Sequence, residues 1–142
     1  MHYFSRVDNF VELKQGFGNT IKYLQNLGHR VVIIGDIPNF DINPESCKYD
    51  KNIQKVLSYC SMPIAKFQRQ KDIYEPTLIE LSSELGVPFI TIYEPLCNDT
   101  RCNMILNETI LYRDNNHLNI PGSILVGKFL SQKLNKVLKV NE

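Results

Sequence analysis

Apolar residues recur at helical spacing in three stretches of the chain and form strand-like runs in two. Phe10, Leu13, Phe17, Ile21 and Leu24 fall three or four positions apart. That spacing predicts a helix through Leu27, capped by Asp8 or Asn9 and stopped by Gly28. Gly16 and Gly18 weaken its first half. Val31-Val32-Ile33-Ile34 is a continuous β-branched run, the pattern of a strand buried on both faces. From Ile37 to Met62 neither period holds. Pro38 and Pro44 interrupt this region, and a short helix fits only around Asn52–Tyr59. A connection this long often borders a site. A second amphipathic helix begins at Asp72, carries Ile73, Leu78, Ile79, Leu81 and Leu85, and stops at Gly86. Val87 to Tyr93 is the second strand. Asn119 caps and Pro121 opens a last helix, whose stripe of Ile124, Leu125, Phe129, Leu134 and Leu138 is assigned to the core.

Strands and helices thus alternate at βαβ spacing, which predicts an α/β fold with parallel strands and right-handed crossovers. Ligands of such sheets bind at the C-terminal strand ends, where Asp36 and the segment around residues 114–117 are expected. No glycine-rich phosphate loop follows Gly35-Asp36, so Asp36 is assigned to the loop itself. At 142 residues the chain is long enough for one domain with its own core. The formal net charge of +1 gives no electrostatic case for nucleic acid or an anionic membrane surface. Lys66, Arg69 and Lys71, among polar residues, are read as a solvated face or loop. No apolar run approaches the ~20 residues that span a bilayer, and Met1 to Arg6 lacks the apolar core of a secretory signal.

The candidate chemistry lies in Leu111-Tyr112-Arg113-Asp114-Asn115-Asn116-His117-Leu118-Asn119-Ile120-Pro121-Gly122-Ser123. An imidazole serves as a general base near neutral pH when its tautomer and ring plane are fixed. A carboxylate accepting from one ring N–H fixes both and stabilises the imidazolium formed on proton transfer. Asp114 and His117, three positions apart on a tight turn, suit that pairing, with the second ring nitrogen left for a nucleophile. The same residues also suit a plainer arrangement, with Asp114 capping a turn and His117 solvated in a loop.

This segment, with Tyr112 before Asp114 and Leu118 after His117, resembles the last block of SGNH (GDSL-type) hydrolases. There, an Asp-x-x-His near the C-terminus supplies two members of a Ser-His-Asp triad. The likeness is greater to the extracytoplasmic SGNH domains fused to membrane-bound acyltransferases that O-acetylate cell-surface polysaccharides. Val31-Val32-Ile33-Ile34-Gly35-Asp36-Ile37-Pro38, Cys47, the pair Cys97 and Cys102, and the closing helix extend the match over roughly residues 10–135. The resemblance implies a three-layer, flavodoxin-like parallel sheet and catalytic roles for Asp114 and His117. It implies an acyl donor and a carbohydrate acceptor, no metal or other cofactor, and a membrane acyltransferase partner in a longer, exported protein. The family's Gly-Asp-Ser nucleophile block and its oxyanion-hole blocks precede everything matched. Gly35-Asp36-Ile37 has Ile where Ser is required, so the domain is expected to be a partial, N-terminally truncated one.

Four cysteines allow three pairings, and sequence alone does not choose among them. Cys97 and Cys102 flank a polar loop short enough for direct bridging, which would leave Cys47 and Cys60 to close a second loop. Zinc would call for tighter Cys-x-x-Cys spacing. An even count in irregular stretches favours an oxidising compartment over free thiols. None of the serines reads as a nucleophile. Ser82 and Ser83 fall in a helix, Ser46 and Ser61 beside cysteines in irregular loops, and Ser123 in the first turn of the last helix. The rival expectation is a non-catalytic α/β interaction domain, oligomeric through an open sheet edge. A Gly-Asp-Ser segment upstream of Met1 would favour the enzyme.

Overall fold

The computed structural model describes residues 8–47 and 53–139. In chain order it contains α1 (Asp8–Asn26), β1 (Ile33–Ile34), α2 (Ile53–Tyr59), β2 (Ser61–Pro63), α3 (Ile64–Lys71), α4 (Glu75–Leu85), β3 (Phe89–Ile90), β4 (Arg101–Asn103), β5 (Ile105–Leu106), β6 (Thr109–Ile110) and α5 (Ile120–Lys139). Two 3₁₀ turns, Pro44–Cys47 and Glu94–Leu96, punctuate it. These elements gather into two compact units, one of Met1–Ile34 with Asp72–Ile90, the other of Gly35–Lys71 with Thr91–Glu142.

The first unit is a βαβ arrangement. β1 and β3 pair in parallel, Ile33 opposite Phe89 and Ile34 opposite Ile90. Helices α1 and α4 close over a core of Ile21, Ile33, Leu78, Leu81 and Val87. The apolar period of α1 selects Ile21 for that core, whereas Phe17 stays exposed. α4 begins at Glu75 rather than Asp72. Pro76 sits in its first turn, where a missing N–H breaks no helical bond. Its stop is at Gly86, in the left-handed region at φ 62°. The β-branched run is not buried on both faces: Ile33 is buried, but Ile34 remains 43% exposed on the other side of the pleat.

Apart from the 20-residue α5, the second unit is built from short pieces. β2 pairs antiparallel with β4, and β5 with β6. Its core holds Ile37, Phe40, Val56, Met62, Phe67, Leu96, Met104, Leu111, Tyr112 and Val126, together with Cys47, Cys60 and Cys102. Disulfides join Cys47 to Cys60 and Cys97 to Cys102. The latter closes a turn in which Asn98 Oδ1 accepts from the Thr100 and Arg101 N–H groups. Three sequence expectations need correction. Residues 61–71 are ordered as β2 and α3, and Ser61 lies on a strand, its hydroxyl accepting from Arg101. Lys71 is buried, not solvated, its ammonium 4.4 Å from the centre of the Tyr93 ring. Along α5 the buried stripe is rotated: Val126 is buried, and Ile124 is 53% exposed.

Candidate active site

The segment before α5 forms a closed turn. Tyr112 and Leu118 make an isolated antiparallel bridge, and the Arg113 N–H donates to the His117 carbonyl at 2.8 Å. Asp114 fills the loop so formed. Its Oδ1 accepts from the N–H groups of Asn116 (3.0 Å) and His117 (2.7 Å). The same carboxylate reaches the His117 ring, with Oδ1 3.0 Å and Oδ2 2.9 Å from Nδ1. The two arrangements that the spacing allowed therefore coexist: Asp114 caps the turn and also contacts the imidazole. Donation from the Asn116 N–H, opposed in part by desolvation and helped by His117, draws its pKa down to about 2.

The Nδ1 contact selects the tautomer that is bare at Nε2. Among the described residues no side chain is hydrogen-bonded to that nitrogen. The imidazole is open to solvent, with 61% of its side chain exposed. A shallow apolar groove starts next to the turn, lined by Arg113, Leu118, Asn119, Ile120, Pro121, Ser123 and Ile124. His117 is not in its wall. Arg113 contributes a distant contact, 3.4 Å from Asp114 Oδ2.

Both ends of the turn are fixed. Asn119 donates its own N–H to the Leu111 carbonyl and its side-chain amide to the Ile110 carbonyl, and accepts from the Gly122 N–H at 3.0 Å. It is thus both the cap of α5 and a clamp across the base of the turn. Gly122 lies so close beneath that a Cβ there would stand 2.0 Å from the Leu111 oxygen. On the far side, the buried Tyr112 hydroxyl donates to the Pro38 carbonyl at 3.0 Å, and the Phe40 N–H donates to the Asn115 carbonyl at 2.8 Å. The rings of Phe40 and Tyr112 meet edge to face at 5.0 Å. Sequence reasoning identified Asn119 as a cap but missed Pro38, Phe40 and Gly122. The Pro-Gly pair entering the last helix was the available signal for Gly122.

Other sequence candidates have structural occupations. Asp36 is exposed and accepts from the N–H of Ile37. The Ser82 hydroxyl donates to the Val87 carbonyl at the C-terminal end of α4. Ser123 lies in the first turn of α5, its N–H bonded to Asn119. Among the described residues there is no group of three His, Cys, Asp or Glu side chains that could hold a metal ion. No helix among them is long and apolar enough to cross a membrane.

These features define an α/β domain that presents a carboxylate-oriented imidazole on a braced turn. The chain belongs to the family described as the SGNH domain (fused to AT3 domains), whose profile matches residues 2–132. Its fold is similar to that of a solved lipopolysaccharide acetyltransferase periplasmic domain from Salmonella ser. Paratyphi A, with a TM-score of 0.58 at 19% identity. The likeness covers 90% of this chain but 51% of that one, so the chain spans about half the length of that structure. Among curated proteins, none matches it in sequence.

Proposed function

We propose that the chain is the His–Asp portion of an SGNH-type acyltransferase or esterase domain, acting outside the cytoplasm on cell-surface polysaccharide. Its partner would be an AT3 membrane domain. The observation that carries this reading is the Asp114 carboxylate held against His117 Nδ1 with Nε2 bare. A serine hydroxyl supplied by a segment outside the described residues attacks the acyl carbonyl, and its proton passes to His117 Nε2. Asp114 stabilises the resulting imidazolium. The tetrahedral intermediate collapses to an acyl-serine as His117 returns the proton to the leaving oxygen. In the second half His117 deprotonates the acceptor, a sugar hydroxyl for transfer or water for hydrolysis, which attacks the acyl carbonyl. The acyl–Oγ bond breaks and His117 returns the proton to the serine oxygen. Family membership, the Salmonella periplasmic neighbour and the two disulfides support this reading. The chemistry calls for no metal or other cofactor.

An aryl-acetate esterase assay tests it on three proteins: this chain, its His117→Ala variant, and a longer chain extended upstream through a Gly-Asp-Ser segment. The first two should be equally near background, because on this reading the serine and the oxyanion donors come from the added segment and triad members act as a unit. The third should turn over and should lose at least ~10³-fold on His117→Ala. Robust activity of the 142-residue chain that His117→Ala abolishes would make one of its own serines the nucleophile. A longer chain that turns over equally well with His117→Ala would remove His117 from the mechanism, and one that stays at background would favour an interaction domain.

A further inference from the structure

The segment Pro38-Asn39-Phe40 has both of its backbone edges occupied within the second unit. In an extended chain the N–H and C=O of one residue point to one side, and those of its neighbours to the other. Asn39 uses its side toward α3: its N–H donates to Gln70 Oε1 at 3.1 Å, and its carbonyl accepts from Gln70 Nε2 at 2.6 Å. The side-chain amide of Gln70 thereby stands in for a neighbouring strand. Pro38 and Phe40 use the opposite side, taking the Tyr112 hydroxyl and holding the Asn115 carbonyl. Tyr112 and Asn115 bracket Arg113 and Asp114 in the turn that carries His117. The polar contacts therefore run unbroken from α3 through this strap to the carboxylate–imidazole pair.

We infer that Gln70 and Tyr112 are positioning residues for His117, acting through the strap Pro38-Asn39-Phe40. The carboxylate of Asp114 contacts Nδ1 only while its own turn holds shape, and the turn's outer side is held by two bonds to the strap. Neither bond is easily replaced by water, because Tyr112 is 1% exposed and Phe40 4% exposed. Burial, with the nearby Asp36 charge adding to it, raises the Tyr112 pKa, so the phenol remains a neutral donor. Gln70 suits its task because one planar amide both donates and accepts. A carboxylate there would face the Asn39 carbonyl with no proton to give. As a role in catalysis the inference rests on the proposed function. The geometry itself is tested without any turnover.

The experiment is ¹⁵N NMR of the neutral His117 ring in the full 142-residue chain, with thermal unfolding followed in parallel. The unaltered protein should show one dominant tautomer, protonated at Nδ1 and bare at Nε2. Tyr112→Phe and Gln70→Met should each lose that preference and give a tautomer mixture in a chain that remains folded. Val126→Ala, which thins the same core without removing any hydrogen bond of the strap, should lower the melting temperature and leave the tautomer unchanged. Having two strap variants keeps the test decisive if one fails to fold. Strap variants that melt earlier but keep the Nδ1–H tautomer would reduce both residues to structural roles and overturn the inference. A silent esterase assay leaves this outcome untouched, because the tautomer is read without substrate.

Discussion

The two compact units reach stability by different means. In the first, helices of 19 and 11 residues and a parallel strand pair enclose a wholly aliphatic core of Ile21, Ile33, Leu78, Leu81 and Val87. Its cross-element polar contacts lie at the surface, such as Lys14 with Glu80 and Glu84, both at 2.8 Å, and exposed pairs of this kind contribute little. In the second unit, apart from α5, the described residues form only short helices, 3₁₀ turns and strands of two or three residues, and the core mixes aromatic rings, methionines and cystine sulfur. Isolated backbone bonds, a side-chain amide and two disulfides do there what long hydrogen-bond ladders do elsewhere. Regular elements make a scaffold cheaply specified by periodicity. Irregular ones allow a turn such as Asp114–His117 to be aimed, but they require long-range ties.

That contrast is most severely tested at Cys47–Cys60. Replacing both cysteines by alanine should cost about 3 kcal/mol, from the chain entropy of a loop of this size. Denaturant unfolding measures the loss, and hydrogen exchange should localise it, with amides of α1 and α4 keeping their protection. Equal loss of protection in α1 and α4 would mean that the units do not stand apart energetically. Next in size is Gly122→Ala, because the added methyl would meet the Leu111 carbonyl oxygen at 2.0 Å. Relief requires the start of α5 to move, at about 2 kcal/mol, and should broaden the amide signals of residues 111–119.

A smaller effect is expected from acid. Folding lowers the Asp114 pKa to about 2, so its contribution is present above the ordinary carboxylate range and lost as pH falls from about 4 toward 2. Asp114→Asn should flatten that part of the stability–pH curve, as read by thermal unfolding across the range. Unaltered acid sensitivity in Asp114→Asn would assign the titration to other carboxylates. The smallest effect belongs to Ile124→Ala. Although its position in the apolar stripe placed it in the core, its side chain is exposed, and the variant should change stability by less than about 0.5 kcal/mol. Val126→Ala, one turn-face away, should cost two or three times that figure.

Legibility followed the same division. The period of α1 and the stop at Gly86 were present in local sequence because each depends on neighbours within a few residues, while the parallel pairing of β1 with β3 followed from the alternation of strands and helices. The spacing of Asp114 and His117 was legible because a turn of that length puts the two side chains within reach of each other. What holds the turn was not legible. Tyr112 finds Pro38 across 74 positions of chain, and no local pattern announces such a partner. Lys71 misled because a cation in a polar run reads as solvated, whereas the rings of Phe67 and Tyr93 accept it in the interior. Ile124 misled because the apolar stripe of α5 is wider than the surface it covers.

The depth of the cystine sulfurs has a consequence for how the protein is made. Cys60 and Cys102 are 2% and 0% exposed, and Cys47 is 6% exposed. An oxidant or a disulfide-exchange enzyme must reach a thiol directly, and in the finished core it could not. The Cys47–Cys60 bridge, buried at both ends, is therefore sealed while this half of the chain is still open, before the core closes over it. Biogenesis then has a fixed order, oxidation first and packing second. Chain delivered into an oxidant-poor setting would assemble its core around the Cys47 and Cys60 thiols. Later exposure to oxidant would find that pair out of reach, whereas the partly buried Cys97 would still be open to attack.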